Sequence, residues 1–191
     1  QMCIRDRAGT VGIPLPGIEI RIVNEEGKEV EVGQIGTIEL KGENIFKGYW
    51  GMEEKTKESF KDDGFFITGD LAKRDENGYF TIVGRDKDMI ISGGLNVYPK
   101  EIEDVINELP NITESAVFGV QHDDFGEAVV AAVVTTDDKN DGSEILDYTK
   151  DKIAKYKQPK KIIFRSNLPR NSMGKVQKNK LRENNKSLFK S

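Results

Sequence analysis

The stretch GRDKDMIISGGLNVYPKEIE, residues 84–103, divides the chain into two textures. It opens on a charged run, Arg85 to Asp88, passes the apolar pair Ile90 and Ile91, and reaches Ser92, Gly93 and Gly94 before Pro99. Pro99 suits a first helical turn, where a missing N–H costs nothing, and Glu101, Glu103 and Asp104 favour the positive end of a helix. Ile102, Val105, Ile106 and Leu109 then fall at i, i+3, i+4 and i+7, one face of a helix that Pro110 stops. Beyond it, Ser115–Val120 and Ala128–Thr135 read as buried strands. Ser143 is placed to cap a helix through Lys155, Lys161–Arg165 is a third strand, and a Lys-rich helix closes the chain from Val176.

Upstream of residue 84 the period is two. Ile18, Ile20 and Ile22 alternate with Glu19 and Arg21, while Ile38 and Leu40 alternate with Thr37, Glu39 and Lys41. Both patterns predict half-buried strands with the apolar residues inward and the charged ones outward. Asp75 to Gly78, between LAKR and YFTIVG, is a hairpin signal because glycine accepts positive φ. The fold class is therefore α+β. A β-rich part covers residues 1–86, and a small α+β unit with a three-stranded sheet and packed helices covers 87–191, the two joining near Arg85–Asp88.

Composition excludes several functions. With 36% hydrophobic and 32% charged residues, the 191-residue chain has no apolar run near the roughly 20 residues that span a bilayer, so a transmembrane segment is excluded. The AVVAAVV run at 128–134 is a core strand. Cys3 is the one cysteine and His122 the one histidine, which leaves no internal disulfide and no Cys/His metal set, and no metal ligand is assigned. A net charge of -4, from 29 basic against 33 acidic residues, argues against nucleic acid as a partner. The opening QMCIRDR lacks the apolar core of a signal peptide, so the chain reads as cytoplasmic, and without a leading Met it reads as cut from something longer.

Three segments place charge or glycine where local structure does not demand it. In FFITGDL, residues 65–71, Asp70 follows an apolar run, where a carboxylate at a strand end can accept both hydroxyls of a ribose or, as a turn residue, bond its own backbone. In SGGLNVYP, residues 92–99, two adjacent glycines let a backbone pass close to a ligand or form a tight hairpin turn. In LPRNSMGKV, residues 168–176, a loop presents Lys175, either as an ammonium aimed at a phosphate or as one surface lysine among many. It is not a Walker A loop, since G-x-x-x-x-G-K-[ST] is not satisfied. His122-Asp-Asp has no serine or cysteine partner in a recognisable motif, so it does not form a catalytic triad.

Taken in order, TGDL (68–71), GRDKDMIISGGLNVYPKEIE (84–103) and LPRNSMGKVQKNKLRE (168–183) resemble the carboxy-terminal third of adenylate-forming enzymes, the superfamily of acyl-CoA synthetases, peptide-synthetase adenylation domains and luciferases. The resemblance runs from Gly9 to Arg182 and leaves out Gln1–Arg7. Within it, KGYWGMEEKT (47–56), GFFITGDLAKRDENGYFTIVGRDKD (64–88), SGGLNVYPKEIE (92–103), ESAVFGVQHDDFGEAVVA (114–131) and RNSMGKVQKNKLRE (170–183) are most similar to malonyl-CoA synthetases. The resemblance implies that residues 1–86 are the β-rich end of a large amino-terminal domain and that 87–191 are the mobile carboxy-terminal domain.

It also implies a chemistry. A carboxylate, here malonate, attacks the α-phosphate of ATP to give an acyl-adenylate and pyrophosphate, and the CoA thiol then displaces AMP. Asp70 and Arg85 match the residues that bind the ribose of the nucleotide, and Lys87 matches the hinge. Lys175 matches the lysine that bridges the substrate carboxylate and the α-phosphate. Gly93 and Gly94 fall where the rotated domain lines the pantetheine tunnel, a place that excludes side chains. Tyr156, Lys157 and Lys160, in KYKQPKK (155–161), are candidates for the CoA nucleotide, with a basic helix end before a strand as the plain alternative. The phosphate loop, the acyl pocket and the glutamate tied to Mg²⁺ belong to a region amino-terminal to this sequence, so the 191 residues alone are expected to be inactive. Two other readings stand beside this one: a fatty acyl-CoA ligase of another chain length, and a non-catalytic module that binds a nucleotide or partner.

Overall fold

The structure, a computed structural model, describes residues 9–137 and 141–190, so Gln1–Arg7 lie outside the described residues. The chain divides into two compact units, Gln1–Lys87 and Asp88–Ser191. The first holds β1 (Ile18–Val23), β2 (Gly36–Gly42), a short α1 (Glu53–Ser59), β3 (Phe66–Arg74) and β4 (Phe80–Arg85). Its four strands form one antiparallel sheet in chain order. Ile22, Ile38, Ala72 and Phe80 make the core on one face, as the alternation in β1 and β2 predicts. The turns are made by side chains that imitate backbone: Asn24 Oδ1 accepts the N–H groups of Glu26 and Lys28, and Asp75 Oδ1 accepts those of Asn77 and Tyr79.

Two features of this unit depart from the sequence reading. α1 interrupts the β-rich part, and because it buries none of its residues it carries no apolar stripe to announce it. Glu39, expected to face outward, is only 1% exposed. Its face of the sheet is covered by Arg21, whose Nε lies 2.7 Å from Glu39 Oε2 while its guanidinium stacks 3.8 Å from the centre of the Phe65 ring. A buried carboxylate needs such a partner, and Lys61 Nζ adds a second cation at 3.9 Å.

The second unit contains β5 (Ile90–Ser92), β6 (Leu95–Val97), α2 (Pro99–Ile106), β7 (Ile112–His122), β8 (Gly126–Thr135), α3 (Ser143–Lys150), β9 (Lys161–Phe164) and α4 (Lys178–Asn184). The three strands read from the sequence are β7, β8 and β9, and the β5–β6 hairpin enlarges the sheet to five. β7 pairs antiparallel with β8 along its whole length, and β8 shares its other edge between β5 at Gly126 and a parallel β9 over Val130–Val133. Period two sorts the apolar run: Val129, Ala131 and Val133 face one way with Ile102, Ile106 and Ile145, whereas Val130 and Ala132 face the other with Phe118 and Leu181. Helices α2 and α3 thus cover one face and α4 the other, so both faces are dry. Truncating Ile102 or Ile106 to alanine there costs about 2–5 kcal/mol.

Helix α3 ends at Lys150 rather than Lys155. Its cap is also different: Ser143 is the first helical residue, and Asp141 Oδ1 accepts both its N–H and its hydroxyl. Helix α4 begins at Lys178, and two contacts fix it. Lys178 Nζ lies 2.6 Å from Glu103 Oε1, and Arg182 Nη2 donates to the Asp88 carbonyl at 3.1 Å. Glu103 Oε1 also accepts the Val117 N–H at 2.7 Å, satisfying a donor on the edge strand β7. Among the described residues no helix is long and apolar enough to cross a membrane.

Candidate functional site

Asp70 sits within β3, directly opposite Arg85 at the end of β4. It is not a turn residue. Its own N–H donates to Thr68 Oγ1 at 3.0 Å, and Thr68 in turn donates to the Ile38 carbonyl, so this part of β3 is tied to β2. Arg85 Nε lies 2.9 Å from Asp70 Oδ1, with the arginine side chain half exposed and the carboxylate more sheltered. The pairing holds an acceptor and a multiple donor side by side at one edge of the sheet. That combination suits a vicinal diol, whose hydroxyls donate to the carboxylate and accept from the guanidinium. Immediately after Arg85 the chain makes a 3₁₀ turn, Asp86–Asp88, with Lys87 exposed at the border between the units.

Lys175 lies on an exposed loop, residues 170–176, that local bonds shape closely. Arg170 and Val176 pair as an isolated β-bridge, the Asn171 N–H donates to the Lys175 carbonyl at 2.9 Å, and the Gly174 N–H donates to the Asn171 carbonyl at 2.9 Å. Asn171 Oδ1 accepts the N–H groups of Met173 and Lys175 at 3.0 and 2.9 Å. Gly174 takes φ +77°, which a side chain would resist. Arg170 completes the arrangement, donating from Nη1 to the Gly174 carbonyl at 2.6 Å and pairing through Nη2 with Glu114 on β7. The Lys175 ammonium makes no ion pair among the described residues. Arg170 and Asn171 were not singled out as functional from the sequence. The signal available was the N-x-x-G spacing from Asn171 to Gly174, which closes an Asx-type turn.

Gly93 and Gly94 form the two-residue turn of the β5–β6 hairpin, with φ +60° and +77°. A Cβ added at either meets nothing within 4 Å, so what glycine supplies within this unit is backbone conformation, not clearance. The Gly93 N–H donates to the Phe125 carbonyl at 2.8 Å, and Lys160 Nζ lies over the Phe125 ring, 5.1 Å from its centre. The glycine turn and Lys160 therefore meet at Phe125, a residue the sequence reading passed over. Tyr156 is exposed on a 3₁₀ turn, Lys155–Lys157. Lys157 is engaged elsewhere: Nζ donates to both carboxylate oxygens of Glu101 at 2.7 Å. Partial burial pushes its ammonium down, and the hydrogen bonds and charge of Glu101 more than offset this, leaving it above the ordinary lysine value. His122 stacks against Phe125 and Phe189, and its Nδ1 accepts the Asp124 N–H.

The two loops stand far apart within the unit. The Lys175 loop is held at Glu114, near the start of β7. The glycine turn is held at the other end, where His122 pairs with Gly126. Eight residue steps of strand, from Glu114 to His122, separate these anchors, roughly 26 Å at about 3.3 Å per residue. Among the described residues no group of three or more His, Cys, Asp or Glu side chains could hold a metal ion.

The sequence matches the family described as AMP-binding enzyme C-terminal domain over residues 101–175 and the family described as AMP-binding enzyme over residues 2–50. The second match takes in most of Gln1–Arg7, the segment that the resemblance left out. An indoleacetate–CoA ligase of Aromatoleum aromaticum is 40% identical over 178 residues, covering 93% of this chain and 35% of the relative. A malonate–CoA ligase of Arabidopsis thaliana is 40% identical over 188 residues, covering 92% and 30%. The crystal structure of ATP-bound MatB from Rhodopseudomonas palustris is 56% identical, covers 95% of this chain and 37% of that one, and superposes with a TM-score of 0.89. The chain thus spans about a third of the length of the proteins it matches.

Proposed function

We propose that this chain, which matches AMP-binding enzyme families over residues 2–50 and 101–175, is the carboxy-terminal part of an ATP-dependent, adenylate-forming acid–CoA ligase. In the first half-reaction a carboxylate oxygen attacks the α-phosphorus of ATP, the bond to the bridging oxygen breaks and pyrophosphate leaves. In the second, the CoA thiolate attacks the acyl carbon of the adenylate and AMP leaves. Asp70 accepts hydrogen bonds from the ribose hydroxyls and Arg85 donates to them. Lys175 draws the carboxylate and the α-phosphate together and stabilises the charge that develops between them. Gly93, Gly94, Tyr156 and Lys160 serve the CoA side, and Lys157 joins them only by releasing Glu101. Mg²⁺, which would neutralise the phosphates, is assigned to the large domain.

The observation that carries this reading is the separation within the second unit. One rigid strand, β7, holds the Lys175 loop at one end and leads to the Gly93–Gly94 turn at the other. Loops so placed cannot both face one reacting carbon at once, which fits two half-reactions served in turn by rotation at Lys87. Malonate is the acid we propose, on the similarity of residues 47–56, 64–88, 92–103, 114–131 and 170–183 to malonyl-CoA synthetases. Equal identity to an indoleacetate ligase makes the substrate a question for kinetics.

The test uses the full-length ligase that carries this chain, with kcat/KM compared for malonate, acetate, octanoate and indoleacetate. Malonate is expected to lead. A lead for octanoate moves the protein to the fatty acyl-CoA ligases, and no acid-dependent pyrophosphate release with any of the four overturns the ligase reading.

A further inference from the structure

We propose that Arg170 is the positioning residue for Lys175, with Glu114 as its anchor. The inference rests on the reading of Lys175 as the adenylation lysine. The peptide joining Gly174 to Lys175 is held at both polar ends: its carbonyl accepts from Arg170 Nη1 at 2.6 Å, and its N–H donates to Asn171 Oδ1 at 2.9 Å. A peptide is planar, so gripping both ends fixes the plane from which the Lys175 side chain departs. The same guanidinium is tied through Nη2 to Glu114, which stands on the eleven-residue β7. Loop backbone is thus referred to the sheet through one side chain.

The residue types fit this role. A guanidinium presents donors in a rigid fork and can satisfy a carbonyl and a carboxylate together, which a single ammonium on a flexible stem does less well. Lys175 is itself long and mobile, so the direction in which its stem leaves the backbone decides where its charge arrives. Arg170 and Glu114 are 46% and 26% exposed at the side chain, and replacing Arg170 by alanine removes no buried side chain from either apolar cluster of this unit. The pairing of Arg170 with Glu114 also neutralises a second cation beside the loop.

The experiment measures the two half-reactions separately in the full-length ligase for Arg170→Ala, Arg170→Lys and Lys175→Ala. Arg170→Ala is expected to lower kcat for acid-dependent pyrophosphate release by about 10- to 100-fold, the cost of a misplaced group. KM for ATP should hold, as should thioester formation from supplied acyl-adenylate and CoA, and the melting temperature should stay near wild type. Arg170→Lys is expected to restore part of the loss. Equal slowing of both half-reactions by Arg170→Ala, with a lowered melting temperature, would show a purely structural residue and overturn the proposal. An impaired Lys175→Ala beside a wild-type Arg170→Ala overturns the positioning role alone. Unimpaired adenylation by Lys175→Ala overturns the reading of the loop, and this role with it.

Discussion

Lys157 Nζ lies 2.7 Å from both oxygens of Glu101, so it reaches a phosphate only by leaving a carboxylate. Lys160 pairs with no carboxylate among the described residues, and its ammonium rests over the Phe125 ring beside the glycine turn. In the full-length ligase, Lys160→Ala is therefore expected to raise KM for CoA severalfold, and Lys157→Ala to act mainly on stability. A larger KM effect from Lys157→Ala would show that CoA displaces Glu101. The pH dependence has a definite sign. A lysine whose value is raised by folding adds stability that is complete below its unfolded value, about 10.4, and is lost as pH climbs through the higher folded value. The gap in melting temperature between wild type and Glu101→Gln, worth up to about 1 kcal/mol at neutral pH for a pair partly screened by water, should close above that range. KYKQPKK displays its cations openly in the sequence but not which of them is engaged, because the partner stands 56 residues away on α2. Glu39 is the same case: alternation predicts an outward carboxylate, and only the fold brings Arg21 and Phe65 over it.

Elements were legible where their cause is local. Period two found β1 and β2, an Asp-x-Asn-Gly turn found the β3–β4 hairpin, and Pro99 with its acidic first turn found α2. α1 has no apolar stripe, and the end of α3 is set by where the chain must go next: Ile153 enters the core from the turn after the helix, and the chain then runs to β9 beside β8. The β5–β6 hairpin was visible only as an alternative use of its glycines, and its role can be separated from its shape. Asparagine tolerates positive φ better than other residues with a side chain, so Gly94→Asn should preserve the turn while adding bulk into open space. Gly94→Leu carries a strain of about 1–2 kcal/mol besides. If the turn faces the path of the CoA thiol, both variants slow thioester formation from supplied acyl-adenylate and spare pyrophosphate release, although only Gly94→Leu lowers the melting temperature. Wild-type thioester formation by Gly94→Asn would remove the turn from the CoA route.

The molecule as a whole is two units whose border falls at Lys87, in the 3₁₀ turn Asp86–Asp88. Within the second unit, the anchors of the Lys175 loop and the glycine turn stand roughly 26 Å apart, a distance set by strand rise rather than by loop flexibility. No side-chain rearrangement closes such a gap, so the proposed ligase reading has the whole unit turn between half-reactions, with Lys87 as the proposed hinge. Proline at position 87 fixes φ near −65°, removes the backbone N–H and pushes Asp86 towards extended backbone. Lys87→Ala leaves that backbone free and serves as the comparison. In the full-length ligase, Lys87→Pro is expected to keep most acid-dependent pyrophosphate release and to lose thioester formation from supplied acyl-adenylate by tenfold or more, on the order of 1.4 kcal/mol in barrier height. Lys87→Ala should retain far more of the second step. Loss of thioester formation in Lys87→Ala as deep as in Lys87→Pro would assign the effect to the side chain and not to rotation. Equal loss of both half-reactions in Lys87→Pro, with Lys175→Ala and Gly94→Leu also losing both, would mean that one fixed arrangement serves the two chemistries. The separation of the loops along β7 would then be a feature of the fold alone.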